Sequence, residues 1–430
     1  MTVIPQTTAN PDQDANAGRA VPVNLRQSGA PRVDAMIDTR VRKSPFWHKS
    51  VEHGVRTATV YNRMYHPRLY FSPDEGGVLG EYEHLSRHVT LWNVAVQRQI
   101  RIKGPDATAF IDLLVTRAMT GERELAPGKA RYVILCNQDG GIVNDPILLR
   151  IAEDEYWLSI SDSDVALWAQ GVNADGRFDA TVRELDVAPV QIQGPDSAAL
   201  LADAGVRDVH ALKFFNLKQT TLFGCDVVIS KTGFSGEEGF EIYLRNATRD
   251  ADTLWDNLMD AGKPYGLRVI APNQISRIES GILSYGQDMD LETTPFEVGL
   301  DWQVDLDKPD FIGKRALERI AREGVSHKLV GLTFGGRQIT WANADFWPVL
   351  DPRTEAGIGF VTSAIHSPRI GRNIALARVP VAYAAPGLGV LVRDPASVEP
   401  RNAETCATPF FLPPRGLNRP VATGERSAAH

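Results

Sequence analysis

The stretches RIKGPDATAFIDLL (101–114) and QIQGPDSAALLADAG (191–205) carry one pattern twice. Each has a short alternation of apolar and polar residues, then Gly-Pro-Asp, then an apolar helical run. Alternation at period two marks a half-buried strand, and Pro at an early helical position sacrifices no hydrogen bond. Each stretch therefore reads as strand, tight turn, helix, with Asp106 in the first turn of the earlier one. This pattern reads as an internal duplication of a strand–helix unit.

Between the repeats, residues 130–161 read as strand, Asp-Gly-Gly turn, strand, turn, strand. DSDVALWAQGV (162–172) reads as a short helix opened by Asp162 or Ser163. Beyond the second repeat the spacing predicts a helix over 252–262 and a longer one through PNQISRIESGILSYG (272–286). From about residue 327 short strands alternate with Gly and Pro turns, as in a small β-barrel. The class is α+β with a terminal β-domain. The expected division is an irregular N-terminal arm (1–42), a mixed region (43–326), the barrel (327–399) and an irregular tail (400–430). The tail contains PFFLPP, which is suited to packing on a surface and makes a homodimer the candidate assembly.

Composition narrows the function. The chain has 430 residues, 43% hydrophobic and 23% charged, as in ordinary globular proteins. A formal net charge of −7 argues against a general nucleic-acid binder. Cys136, Cys225 and Cys406 have no motif spacing and read as reduced thiols. No apolar run is long enough to span a bilayer, and the N-terminus lacks the apolar segment of a secretory signal. A cytoplasmic location is the default expectation.

Two stretches look like sites. KTGFSGEEGFEIY (231–243) resembles a binding loop, yet its carboxylates exclude phosphate. Either the acids are solvated, or one accepts hydrogen bonds from a ligand rich in N–H donors. In DGGIVNDP (139–146) the glycines account for a tight hairpin, but Asp145 and Pro146 stand in a strand against their propensity, which marks a site. His84 and His88 share a helical face; no third ligand is evident, and a structural role is the better reading. No phosphate loop, dinucleotide fingerprint or nucleophile elbow occurs. Most of the aromatic residues read as core, with a subset free to hold a cationic ligand on their ring faces.

GGIVNDPIL, GFSGEEGFEIYL, RIESGILSYGQDMDLETTPFEVGLDWQV, DFIGKRAL and GFVTSAIHSPRIGRNIALARVP, in this order, resemble the tetrahydrofolate-dependent aminomethyltransferase family of the glycine cleavage T-protein. The resemblance runs over roughly residues 44–393. TVYNRMYHP (59–67), Asn144-Asp145 and Pro272-Asn273-Gln274 follow the branch that demethylates dimethylsulfoniopropionate (DMSP), a sulfonium zwitterion. The resemblance implies a three-lobed ring with folate in a central channel and a C-terminal β-barrel.

It also implies roles. Glu241 pairs with the N–H groups of the pterin, while Glu237 and Glu238 are solvated loop acids. Gly233, Gly236 and Gly239 let the backbone approach the ring. Tyr132 and Asp145 flank the reactive N5 edge as catalytic residues, and Ser161 is a further cofactor contact. Phe234, Tyr243 and Trp168 are the candidates around the methyl donor. Asn273 replaces the Arg of the T-protein, so Arg277, Arg245 or Arg372 is left to hold the folate tail. A Trp is usual at the Phe234 position in the demethylase branch, and Lys-Gln at Gly236-Glu237. The implied activity is transfer of a methyl group from a small methylated donor, DMSP foremost, to tetrahydrofolate. The alternatives are O-demethylation of methoxylated aromatic acids and folate binding without catalysis.

Overall fold

The computed structural model describes residues 39–411 apart from 344, 396 and 398. The arm at 1–38 and the tail beyond 411 lie outside the described residues.

The repeat builds two separate antiparallel-rich sheets. The first copy supplies strand Gln99–Lys103 and helix Ala107–Leu114; the second supplies Val187–Gln193 and Ser197–Asp203. The first sheet runs in the order Thr181–Glu184, Gln99–Lys103, Glu155–Ser159, Ile147–Ala152, Lys129–Tyr132. The second runs Leu217–Leu222, Cys225–Ser230, Gly239–Arg245, Val187–Gln193, Thr90–Asn93, Arg268–Val269. Strands Thr90–Asn93 and Gln99–Lys103 are neighbours in sequence yet belong to different sheets, so this short stretch joins the lobes.

The glycine of each repeat has the same cause. Gly104 and Gly194 have φ of 151° and 120°, and a Cβ there would stand 2.2 Å from Asp179 O and 2.0 Å from His88 O. Only glycine allows both the dihedral and the approach. Each helix then buries its apolar face on its own sheet: Phe110, Ile111 and Leu114 on Ile100, Ile102 and Leu158, and Leu200 and Leu201 on Val190 and Ile192. Asp106 just precedes the first helix, and its carboxylate accepts from Asp179 N at 2.8 Å. Similarly, Asp164, rather than Asp162 or Ser163, precedes helix Val165–Val172.

The expected helix over 252–262 begins earlier and spans Ala247–Gly262. The expected long helix over 272–286 is instead Gln274–Glu279. Gly281 ends it with φ 62°: Gly281 N donates to Ile278 O, and Ile282 N to Arg277 O. This left-handed glycine cap satisfies the last carbonyls, and the helix cannot continue through it.

Six strands form a closed barrel in the order His327–Phe334, Arg372–Pro380, Gly357–Ser367, Trp347–Leu350, Gly389–Val392, Arg401–Cys406. The last of these falls in the segment expected to be irregular. It is needed because it pairs with both His327–Phe334 and Gly389–Val392 and leaves the barrel without an open edge. Pro409–Phe411 also pack on the chain itself: Pro409 lies against Gly281, Phe411 N donates to Glu279 O, and the Arg369 guanidinium sits 4.4 Å from the Phe411 ring centre.

Candidate active site between the lobes

A cavity of about 1090 Å³ is bounded by both lobes, the N-terminal hairpin and the barrel. This exceeds the range of roughly 300–1,000 Å³ usual for a single small ligand. It suits an extended cofactor together with a small second substrate.

Glu241 stands on its wall in the centre of the second sheet, 3% exposed, with Gln191 and Ser230 as its cross-strand neighbours. Gln191 Nε2 donates to Glu241 Oε1 at 2.8 Å, and the hydroxyls of Tyr243 (3.0 Å) and Thr232 donate to Oε2. Three of about four acceptor sites are thus filled, leaving room on Oε1. Burial holds the Glu241 pKa above the ordinary carboxylate value, against the pull of these donors. Beside it, Gln191 Oε1 is a buried acceptor without a partner among the described residues.

The glycine loop preceding Glu241 is built around Gln193. A Cβ on Gly233 or Gly239 would come within 2.4 Å or 2.3 Å of the Gln193 amide, so these two glycines make room for a protein side chain rather than a ligand ring. Gly236 supplies the turn, with φ 75°. Ser235 Oγ closes the loop on Gln193 Oε1 at 2.6 Å. Glu237 and Glu238 are partly buried and ion-paired rather than free solvated acids. Glu238 pairs with Lys231 at 3.1 Å, and Glu237 pairs with Arg369, which also lies 3.5 Å from the buried Glu279. Arg369 therefore ties this loop to the barrel. Arg369→Ala is expected to lower stability by about 1 kcal/mol, the upper end for a solvent-accessible ion pair, and to loosen the loop. Chemical denaturation and amide exchange at 233–239 check this; unchanged exchange contradicts it.

Asp145 sits in the break between strands Ile142–Asn144 and Ile147–Ala152, where Pro146 interrupts the ladder. The carboxylate is buried on the cavity wall. Tyr132 OH donates to Oδ2 at 2.9 Å and Ser161 Oγ to Oδ1 at 2.6 Å. Asn144 fixes the loop that carries Ser161, accepting from Ser161 N at 3.0 Å and donating to Ser163 Oγ at 2.8 Å. Asp145, Tyr132 and Ser161, named from the sequence, are thus one hydrogen-bonded cluster.

Phe234 also lines the cavity. The other expected contacts are placed differently. Tyr243 is wholly buried with Leu149, Trp157 and Val228 and acts behind Glu241. Trp168 packs on the core of the first lobe and is not on the wall. Arg277 is fully buried and committed to Asp288 (2.7 Å), Ser363 (2.8 Å) and Gln274 (2.9 Å), joining helix to barrel. Arg245 lies over the Trp157 ring, and Arg372 is exposed; neither reaches the cavity.

The cavity arginines are Arg68, Arg117 and Arg131. Arg117 stands beside the partly exposed Trp302, its guanidinium 5.5 Å from the ring centre, and Arg131 is close enough for its charge to lower the Arg117 pKa. His84 bonds Gly266 O at 2.9 Å, and no group of three metal-ligating side chains occurs among the described residues. No helix among these residues is long and apolar enough to cross a membrane.

The hairpin Thr57–Tyr61/Met64–Leu69 was legible in the sequence only as part of the resemblance, yet it forms one wall of the cavity. Asn62 and Arg63 turn it at φ 48° and 59°. Asn62 Nδ2 donates to Val96 O and Ser161 O, each at 3.0 Å, which brings Tyr61 against Ser161. An Asn at a two-residue turn is the signal that could have revealed it.

The family profile of the GCVT N-terminal domain matches residues 46–308, and that of the glycine cleavage T-protein C-terminal barrel domain matches 327–411. The chain belongs to the glycine cleavage T-protein family. Among its relatives, dimethylsulfoniopropionate demethylase DmdA of Ruegeria pomeroyi is 36% identical over 84% of this chain and 95% of its own. An aminomethyltransferase of Halothermothrix orenii is 31% identical over 83% and 97%. The crystal structure of the glycine cleavage aminomethyltransferase T from Bartonella henselae superposes with a TM-score of 0.75 at 26% identity, over 86% of this chain and 98% of that one.

This T-protein family member is a tetrahydrofolate-dependent one-carbon transferase. The wall fits that cofactor. Two neighbouring buried acceptors, Glu241 Oε1 and Gln191 Oε1, answer a ring edge that carries N–H donors. A pH dependence of this affinity is the expected outcome. Burial raises the Glu241 pKa, so the acid protonates above the usual carboxylate range as pH falls, and the protonated form offers a donor where an acceptor is needed. Tetrahydrofolate affinity is therefore expected to be full at high pH and lost as pH falls through this raised pKa, with proton release on binding there. Calorimetry in buffers of different ionisation enthalpy checks it; a flat profile contradicts it.

Proposed function

We propose that this protein demethylates a small sulfonium zwitterion of the DMSP class, with tetrahydrofolate as acceptor. The observation that carries the reading is the Asp145 carboxylate fixed between Tyr132 and Ser161 on the wall it shares with Glu241. The 36% identity to the DMSP demethylase supports the donor class.

When bound, tetrahydrofolate supplies the N5 lone pair that accepts the methyl carbon. Glu241 and Gln191 orient the pterin edge. Asp145 would take the proton from N5, directly or through a water, while Tyr132 and Ser161 hold the carboxylate in place. The carbon–sulfur bond breaks with its electron pair on sulfur, so a neutral thioether leaves and no acid is needed. The protein's main work is alignment. Arg117 and Arg131 on the cavity wall hold the folate tail carboxylates. Tyr132, Asp145 and Ser161 are the cofactor-side residues, and Phe234 contributes to the donor's pocket.

A donor panel tests this: purified protein and tetrahydrofolate with DMSP, glycine betaine, dimethylglycine, or vanillate. Turnover with DMSP alone is expected. Turnover only with vanillate would move the enzyme to O-demethylation, and turnover only with dimethylglycine to amine chemistry.

A further inference from the structure

Arg68, like Arg117 and Arg131, is half-buried on the cavity wall. It differs from the other two in having no hydrogen-bond or ion-pair partner among the described residues; Arg117 bonds Gln303 Oε1 at 3.2 Å and Arg131 bonds Ala118 O at 3.0 Å.

The backbone presents it deliberately. Across the hairpin Thr57 faces Leu69 and Ala58 faces Pro67, so Arg68 is the extra residue of a β-bulge. Bulges re-aim side chains beside active sites. His66 lines the cavity from the same strand; burial, then the Arg68 charge, hold its pKa down to about 3, so it is neutral and leaves the guanidinium charge unshared. Burial and the nearby Arg277 charge lower Arg68 itself to about 10, which still leaves it cationic at neutral pH. Tyr61 connects the two ends of the subsite: its ring lies 5.5 Å from that of His66, and its hydroxyl faces Ser161 and the Asp145 charge.

A half-buried guanidinium on the cavity wall, with no counter-ion among the described residues, is suited to an anion from the ligand. Arg117 and Arg131 are assigned to the folate tail, whereas Tyr61 stands between His66 of the Arg68 strand and the Ser161–Asp145 pair. We infer that Arg68 receives the carboxylate of the methyl donor and so restricts the enzyme to donors with an acidic end. This rests on the proposed demethylase reading for the donor's cationic end, but the carboxylate claim holds for any carboxylate-bearing donor.

The test is donor binding by calorimetry on the full chain, which needs no turnover. Wild type, Arg68→Lys and Arg68→Met are titrated with DMSP and its methyl ester, and with vanillate and its methyl ester. In the acid that binds wild type, Arg68→Met is expected to weaken affinity about ten- to a hundredfold, the worth of a charge-assisted pair. Lys should restore part of it. The matching ester should bind wild type and Met variant alike, and tetrahydrofolate affinity should not change. Equal losses for acid and ester would overturn the assignment. So would a loss confined to tetrahydrofolate, which would make Arg68 a tail contact. Thermal melts of the Lys variant separate a folding defect from a binding one. If vanillate binds and DMSP does not, the sulfonium reading fails while the Arg68 claim is still decided by the vanillate pair.

Discussion

Asp145→Asn is expected to lower kcat by about a hundred- to ten-thousandfold, the range for removing a positioned acid–base group, with tetrahydrofolate affinity changed little. The amide has nearly the shape of the carboxylate and can still accept from Tyr132 or Ser161, but it cannot take a proton. Its NH₂ group would face one of two hydroxyl donors, and either hydroxyl can rotate to accept instead. The fold should therefore tolerate the change. Single-turnover kinetics with separately measured binding distinguishes the cases. Equal losses in binding and turnover would reduce Asp145 to a shaping residue.

Glu241→Ala is expected to weaken tetrahydrofolate binding about ten- to a hundredfold, since a hydrogen bond to a charged group is worth about 1.5–3 kcal/mol. The removed carboxylate also leaves Gln191 Nε2 and the Tyr243 and Thr232 hydroxyls without their acceptor. Water entering the enlarged cavity can satisfy them, because Glu241 is already on its wall. The loss should therefore appear in affinity more than in stability. Calorimetry paired with denaturation separates the two, and wild-type affinity in the variant would remove Glu241 from the cofactor site.

Local rules carried the architecture a long way. The Gly-Pro-Asp repeat marked a strand–helix unit that occurs once in each large sheet, its glycines obeying one steric constraint twice, and the alternating strands after residue 327 foretold the barrel. Asp145 was legible as a polar residue placed against strand propensity beside a proline. What failed was whatever depends on which way a side chain faces. Tyr243 shares a strand with Glu241 but supports it from the core, and Trp168 turns into the first lobe. Arg277 was a reasonable anion ligand until the barrel brought Ser363 to it alongside Asp288. Apolar spacing through Ile282 and Leu283 prolonged a helix that Gly281 ends. Arg68 escaped notice because a bulge is a relation between two strands, invisible in either one alone.

The central claim is methyl transfer to tetrahydrofolate without change of oxidation state. Its most direct measurement is the mass of the folate product formed by purified protein, tetrahydrofolate and DMSP, with no redox partner added. The account predicts 5-methyltetrahydrofolate, formed in step with the demethylated thioether. A 5,10-methylene product, or no folate product while folate still binds, would contradict it.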